Sequence, residues 1–138
     1  MSIKLKSALS SVLFLSSLLF HHSVSAEWIQ VASTLEDDAI FFVSTQSIAK
    51  TGNHTRTAWE VVNHPNKTRQ GYLSAKVQQE YDCKSNKVRM LSASSHSELF
   101  GKGKTLTVAQ KVPLPWQALP EDSVATLTRD YICSQKVK

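Results

Sequence analysis

The chain has 138 residues, with 16 lysines and arginines against 11 acidic residues and a formal net charge of +5. That length buries one core, leaves no room for a second domain, and is too short for a Rossmann enzyme or a (β/α)8 barrel.

Residues 1–26 carry the three parts of an export signal: Lys4 and Lys6, an apolar run from Ala8 to Phe20 broken only by serines, then Val24-Ser25-Ala26. The run is shorter than the roughly 20 residues a membrane-spanning helix needs, which sets export against the rival reading of a retained anchor. Cleavage after Ala26 leaves 112 residues, numbers 27–138, at a net +3 once Lys4 and Lys6 are gone. So small an excess does not argue for a nucleic-acid partner, which is in any case the wrong partner for an exported chain. No later apolar stretch is long enough to span a bilayer. Glu27 follows the cut where a lipoprotein would have cysteine, so no lipidation is expected.

Beyond the signal, short β-branched and aromatic runs recur between turn residues, as in antiparallel strands. Trp28 to Ser33 is the first. Ala39 to Ser44 is apolar on both faces and is expected to sit centrally with cover on each side. Thr55 to Asn63 follows the turn Thr51-Gly52-Asn53. In Tyr72 to Cys83, Leu73, Ala75, Val77, Tyr81 and Cys83 share a face expected to be buried. Ser74, Lys76, Gln78, Glu80 and Asp82 share the other.

Lys84-Ser85-Asn86 reads as a tight hairpin loop with Asn86 in the left-handed conformation. Lys87 to His96 returns, Gly101 to Gly103 turns, and Thr105 to Val112 is the last expected strand. Pro113, Pro115 and Pro120 end strand pairing, since proline has no N–H to donate. Asp122 or Ser123 then caps a helix to about Gln135, with Val124, Leu127 and Tyr131 and their neighbours Ala125, Thr128 and Ile132 as its stripe. The expected fold class is α+β: an antiparallel sheet of about six strands and a C-terminal helix.

Cys83 and Cys133 are the only cysteines. In an exported chain an isolated pair is most simply one disulfide, here tethering the helix to the sheet. Two free thiols and metal ligation are the alternatives, and two cysteines this far apart do not suggest a metal.

The search for catalytic chemistry is negative. Gly103-Lys104-Thr105 ends like a phosphate loop, but Glu98 stands where that motif needs glycine. His54, His64 and His96 lack metal-ligand spacing. No serine lies in a G-x-S-x-G elbow, and Glu36-Asp37-Asp38 reads as a turn. Asn53-His54-Thr55 and Asn66-Lys67-Thr68 match a glycosylation acceptor that matters only in a eukaryotic secretory pathway. No catalytic residue, metal site or cofactor is therefore expected.

What remains is a contact surface. Lys84, Lys87 and Arg89 surround the hairpin, and Lys102 and Lys104 flank the next turn. Together they form a basic rim suited to acidic glycans or acidic protein segments, although lysines also protect strand edges from aggregation. Asp82 and Arg89 flank the hairpin with opposite charge and are expected to pair across it. Trp28, Trp59 and Trp116 are expected in the core.

These residues resemble a known family. Ser74-Ala75-Lys76, then Glu80-Tyr81-Asp82-Cys83, then Arg89 and Leu91 are similar to the signature of the surface-adhesin protein E family of Gram-negative bacteria. Trp28, Phe41-Phe42 before Val43, Ala58-Trp59, Trp116, Pro120 to Ser123 and Cys133 extend the likeness over nearly all of the chain after the signal. The resemblance implies an exported, non-enzymatic protein whose C-terminal helix is tied to an antiparallel sheet by the cysteine pair. It also implies host extracellular-matrix partners such as vitronectin and laminin, and a homodimer. Two departures stand out. Ser44 follows Phe-Phe-Val where the family often has an acidic residue, and the lipidation cysteine of the name-giving adhesin is missing. A periplasmic inhibitor or envelope-stress protein that binds a protein partner is therefore the alternative function.

Overall fold

The computed structural model describes residues 27–137, so the expected signal in residues 1–26 lies outside the described residues. The strands are β1 (Trp28–Ser33), β2 (Ile40–Ser44), β3 (Ala49–Lys50), β4 (Thr55–Asn63), β5 (Ser74–Asp82), β6 (Lys87–His96), β7 (Thr105–Val108) and β8 (Gln117–Ala118). One helix, α1 (Val124–Ser134), follows them. All recorded pairings are antiparallel, in the order β1-β2-β4-β5-β6-β7, with β3 beside β4 and β8 beside β6. The α+β architecture read from the sequence is therefore the observed one.

Chain chemistry sets the boundaries. Asn86 turns the hairpin at φ 54°, a value asparagine tolerates because its short side chain bonds locally. Ser123 caps α1, its hydroxyl oxygen accepting the Thr126 N–H at 3.2 Å. Leu91 is an extra residue in β6: Gln78 pairs with Ser92 and Gln79 with Met90, which makes a β-bulge.

Pairing register sorts the side chains onto two faces. Arg56, Ala58 and Glu60 of β4 lie opposite Tyr81, Gln79 and Val77 of β5, and this side carries α1. Val43, Ile48, Ala58, Tyr81, Leu119 and Ile132 are its buried core. The Cys83–Cys133 disulfide spans 5.8 Å between Cα atoms and ties the hairpin end of β5 to the last turn of α1. Arg56 Nη1 adds a hydrogen bond to the Ile132 carbonyl at 2.9 Å and another to that of Gln135. It thereby satisfies carbonyls that a helix C-terminus leaves open.

The other face is more open. Its far end is crossed by a turn at Leu99–Gly101, where the Phe100 ring packs 4.9 Å from Phe42. Buried Ser74 anchors this turn, donating to the Glu98 carbonyl at 2.5 Å and accepting the Gly101 N–H at 2.9 Å.

Four expectations change. Ser74 and Glu80, placed on the outer face of their strand, are buried, because period-two alternation separates faces without saying which is covered. The final long strand stops at Val108, and pairing resumes after two prolines at Gln117–Ala118. It does so because Pro113, Pro115 and Pro120 all lie outside that pair, where no ladder donor is needed. On α1 it is Thr128 and Ile132 that are buried, while Leu127 is 55% exposed. The tryptophans are not core: Trp28 and Trp59 are half-buried and Trp116 is exposed.

Candidate functional site

The hairpin end is built on backbone hydrogen bonds. Asp82 Oδ1 accepts the N–H groups of Lys84 and Ser85, each at 2.9 Å. Those donors, Ser85 foremost, hold the Asp82 carboxyl below its ordinary range. The loop presents Lys84, and Lys87 opens β6; both side chains are exposed and have no partner among the described residues.

Arg89 behaves differently. Instead of the expected Asp82, it takes Glu80, with Nε 2.6 Å and Nη2 2.5 Å from Glu80 Oε2. Asp82 is occupied in the turn, while Glu80 stands directly opposite Arg89 in the register. The signal for this lies in the hairpin itself: counting outward, Asp82 meets Lys87 and Glu80 meets Arg89. The second Glu80 oxygen accepts the Thr51 hydroxyl at 2.9 Å. Above the guanidinium lies the Trp116 ring, 4.6 Å from Arg89 Cζ to the ring centroid. Further along the same face Lys76 Nζ stands 4.7 Å over the Trp59 ring.

The structure thus gathers Lys84, Lys87 and Arg89 at one end of the sheet and adds Trp116, which sequence reasoning assigned to the core. Lys102 and Lys104 do not join them. They precede β7, whose Thr105 pairs with His96 at the far end of β6. A ten-residue strand puts roughly 30 Å between the two patches at about 3.3 Å per residue. The basic rim is two separate patches.

The titratable interior of the helix face is Glu60. Tyr81 Oη donates to Oε1 at 2.6 Å and Gln79 Nε2 to Oε2 at 3.1 Å. Burial outweighs these two donors and pushes the Glu60 carboxyl up to about 7. Burial and the Glu60 charge together drive the Tyr81 hydroxyl upward. His96 is buried beside Ser94 Oγ at 2.8 Å, and burial, then Lys76, lowers its pKa. Among the described residues no helix is long and apolar enough to cross a membrane.

The model of the family described as surface-adhesin protein E matches residues 28–134. No curated protein matches the chain. Among solved structures, crystal form II of Haemophilus influenzae protein E superposes with a TM-score of 0.60 at 16% identity, covering 80% of this chain and 90% of that one. Its selenomethionine form gives 0.59 at 16% identity, with 80% and 88% covered. Protein E from non-typeable Haemophilus influenzae gives 0.58 at 16% identity, with 82% and 79% covered. At such identity the structures speak for the fold alone; the family model speaks for descent. The chain belongs to the surface-adhesin protein E family.

Proposed function

We propose that the protein is exported by residues 1–26, cut after Ala26 and left unlipidated, and acts as a non-enzymatic adhesin-like binding protein. Its contact surface is the hairpin end, Lys84, Lys87 and Arg89 with Trp116. The observation that carries this reading is the stack of Trp116 on Arg89, with Glu80 fixing the guanidinium from the opposite edge of the hairpin. A tryptophan and an arginine held rigid beside two unpaired lysines form an anchor with a steering charge, the combination that dominates binding energy at protein interfaces. Acidic segments of extracellular-matrix proteins such as vitronectin or laminin are the partners it fits. Lys102 and Lys104 form a second, separate contact.

Immobilised vitronectin and laminin test this directly. Binding at micromolar protein should weaken as salt rises, and joint Lys84→Glu and Lys87→Glu substitution should cost about tenfold or more in affinity. Binding that ignores both salt and these charges would sink the reading.

Glu27 after the cut favours a second reading, a periplasmic inhibitor or envelope-stress protein with a protein partner. Protein found only in the periplasm and never on intact cells would establish that version in place of the adhesin. A homodimer belongs to the same proposal, supported by β7, a sheet-edge strand with every residue exposed. Sedimentation at micromolar concentration decides it.

A further inference from the structure

The β4–β5 connection, residues 64–73, lies at the opposite end of the sheet from the hairpin and, with Asp37, borders a half-open cavity of about 510 Å3. That falls within the roughly 300–1,000 Å3 typical of small-ligand sites. The loop is knit to itself: the Thr68 N–H donates to the Tyr72 carbonyl at 2.9 Å, and the Gly71 N–H to the Thr68 carbonyl at 2.8 Å. Gly71 makes the turn at φ 87°, a conformation that suits glycine. The cavity is thus largely preformed.

Its wall is chemically mixed. Lys67 and Arg69 line it and have no counter-ion among the described residues. Asn66 and Gln70 also line it, and their amides have no partner there. Tyr72 supplies an aromatic side, held edge-on to His64 at 5.6 Å between ring centroids. Asp37 completes the rim. Its Oδ1 is occupied by the Thr34 hydroxyl and the Ala39 N–H, while Oδ2 lies 3.9 Å from His64 Nδ1. Beyond Tyr72 a shallow trough of about 250 Å3 continues over Ala75, Ala93, Thr107 and Ala109. These small side chains leave the sheet surface open.

A ligand that suits this wall needs one negative charge for Lys67 and Arg69, amide or hydroxyl partners for Asn66 and Gln70, and a donor for Asp37. A bare anion such as sulfate offers no donor and is repelled by Asp37. An acidic peptide brings several charges and few hydroxyls. We propose that this cavity binds a sugar unit bearing a single carboxylate, of the uronic or sialic acid kind, with its glycan chain continuing past Tyr72 into the trough. The carboxylate meets Lys67 and Arg69, a ring hydroxyl donates to Asp37, and Tyr72 packs on the apolar face of the sugar. The site does not depend on the hairpin surface: the two lie at opposite ends of β5 and use different residues.

Isotope-labelled protein titrated with glucuronate, N-acetylneuraminate, glucose, inorganic sulfate and a tetra-aspartate peptide tests the proposal by amide chemical shifts. At least one of the two sugar acids should shift residues 64–72 with a dissociation constant on the order of 1 mM, as for a single small unit. Glucose and sulfate should bind at least tenfold more weakly. Lys67→Ala and Arg69→Ala should each weaken the sugar acid about tenfold. Both side chains are exposed, so the rest of the amide spectrum should stay in place. Asp37→Asn should narrow the gap between sugar acid and sulfate. Sulfate binding as well as the sugar acids would mark a generic anion site, and a tighter peptide would mark a protein site; either overturns the proposal. So would shifts confined to residues 84–89, or none at about ten times that concentration.

Discussion

Two glutamates on neighbouring strands face opposite sides of one sheet and are almost equally buried, Glu60 at 9% and Glu80 at 7% exposure. Their surroundings differ in one respect. Glu80 meets a guanidinium and a hydroxyl, whereas Glu60 meets a phenol and an amide, both neutral. Burial alone disfavours a carboxylate, and only a cation nearby repays that cost in full. The helix face therefore holds its glutamate near the midpoint of its titration at neutral pH. The open face uses its glutamate to fix Arg89 under Trp116.

The strongest way to disturb this contrast is to release the helix. Cys133→Ser removes a cross-link with a sequence separation of 50, worth roughly 4 kcal/mol in the chain-entropy model. Chemical unfolding should show that loss, and the strands should remain formed. Carbon-detected titration should show Glu60 moving down toward its ordinary value as its cover loosens.

Next in size is the pH dependence itself. The Glu60 carboxyl is raised from 4.5 to about 7 in the folded chain, so between those values the folded state holds a proton the unfolded state has lost. Stability then falls as pH rises through that window, by roughly 3 kcal/mol at most, and is level on either side of it. Glu60→Gln should flatten this slope in urea unfolding measured from pH 4 to pH 8. A slope that survives the substitution would assign it to another group.

Glu80→Gln should cost about 2 kcal/mol, because it leaves Arg89 without its charge partner, though a one-third exposed guanidinium keeps some water. Smallest is Trp116→Ala. At an exposed position its cation–π contact is worth only about 0.5–1 kcal/mol of stability, yet binding through the hairpin end should fall much more. Equal losses in stability and binding would mean that Trp116 is merely cover for Arg89.

Local chemistry made the element boundaries readable. Thr51-Gly52-Asn53, the hairpin at Asn86 and the Ser123 cap each mark an end within the chain itself, and β1, β4 and β6 start and stop as their turn residues dictate. Which face of the sheet is covered is a long-range fact. Glu80 and Ser74 read as solvent-facing because their partners, Thr51, Arg89 and the Glu98–Gly101 turn, come from elsewhere in the chain. Trp116 reads as core by size, but its short edge segment lies over an arginine. The Lys67–Arg69 loop shows only a glycosylation-type triplet as sequence, since its cleft is made by Asp37 and Tyr72 coming alongside it.

The disulfide also decides what a protease can do to the chain. Its two sulfurs bracket the hairpin, β6, β7, the proline-rich segment and nearly all of α1. A single cut anywhere between them opens the chain without releasing a fragment. A clipped molecule stays in one covalent piece until a reductant arrives, so proteolytic wear would first appear only on reducing gels.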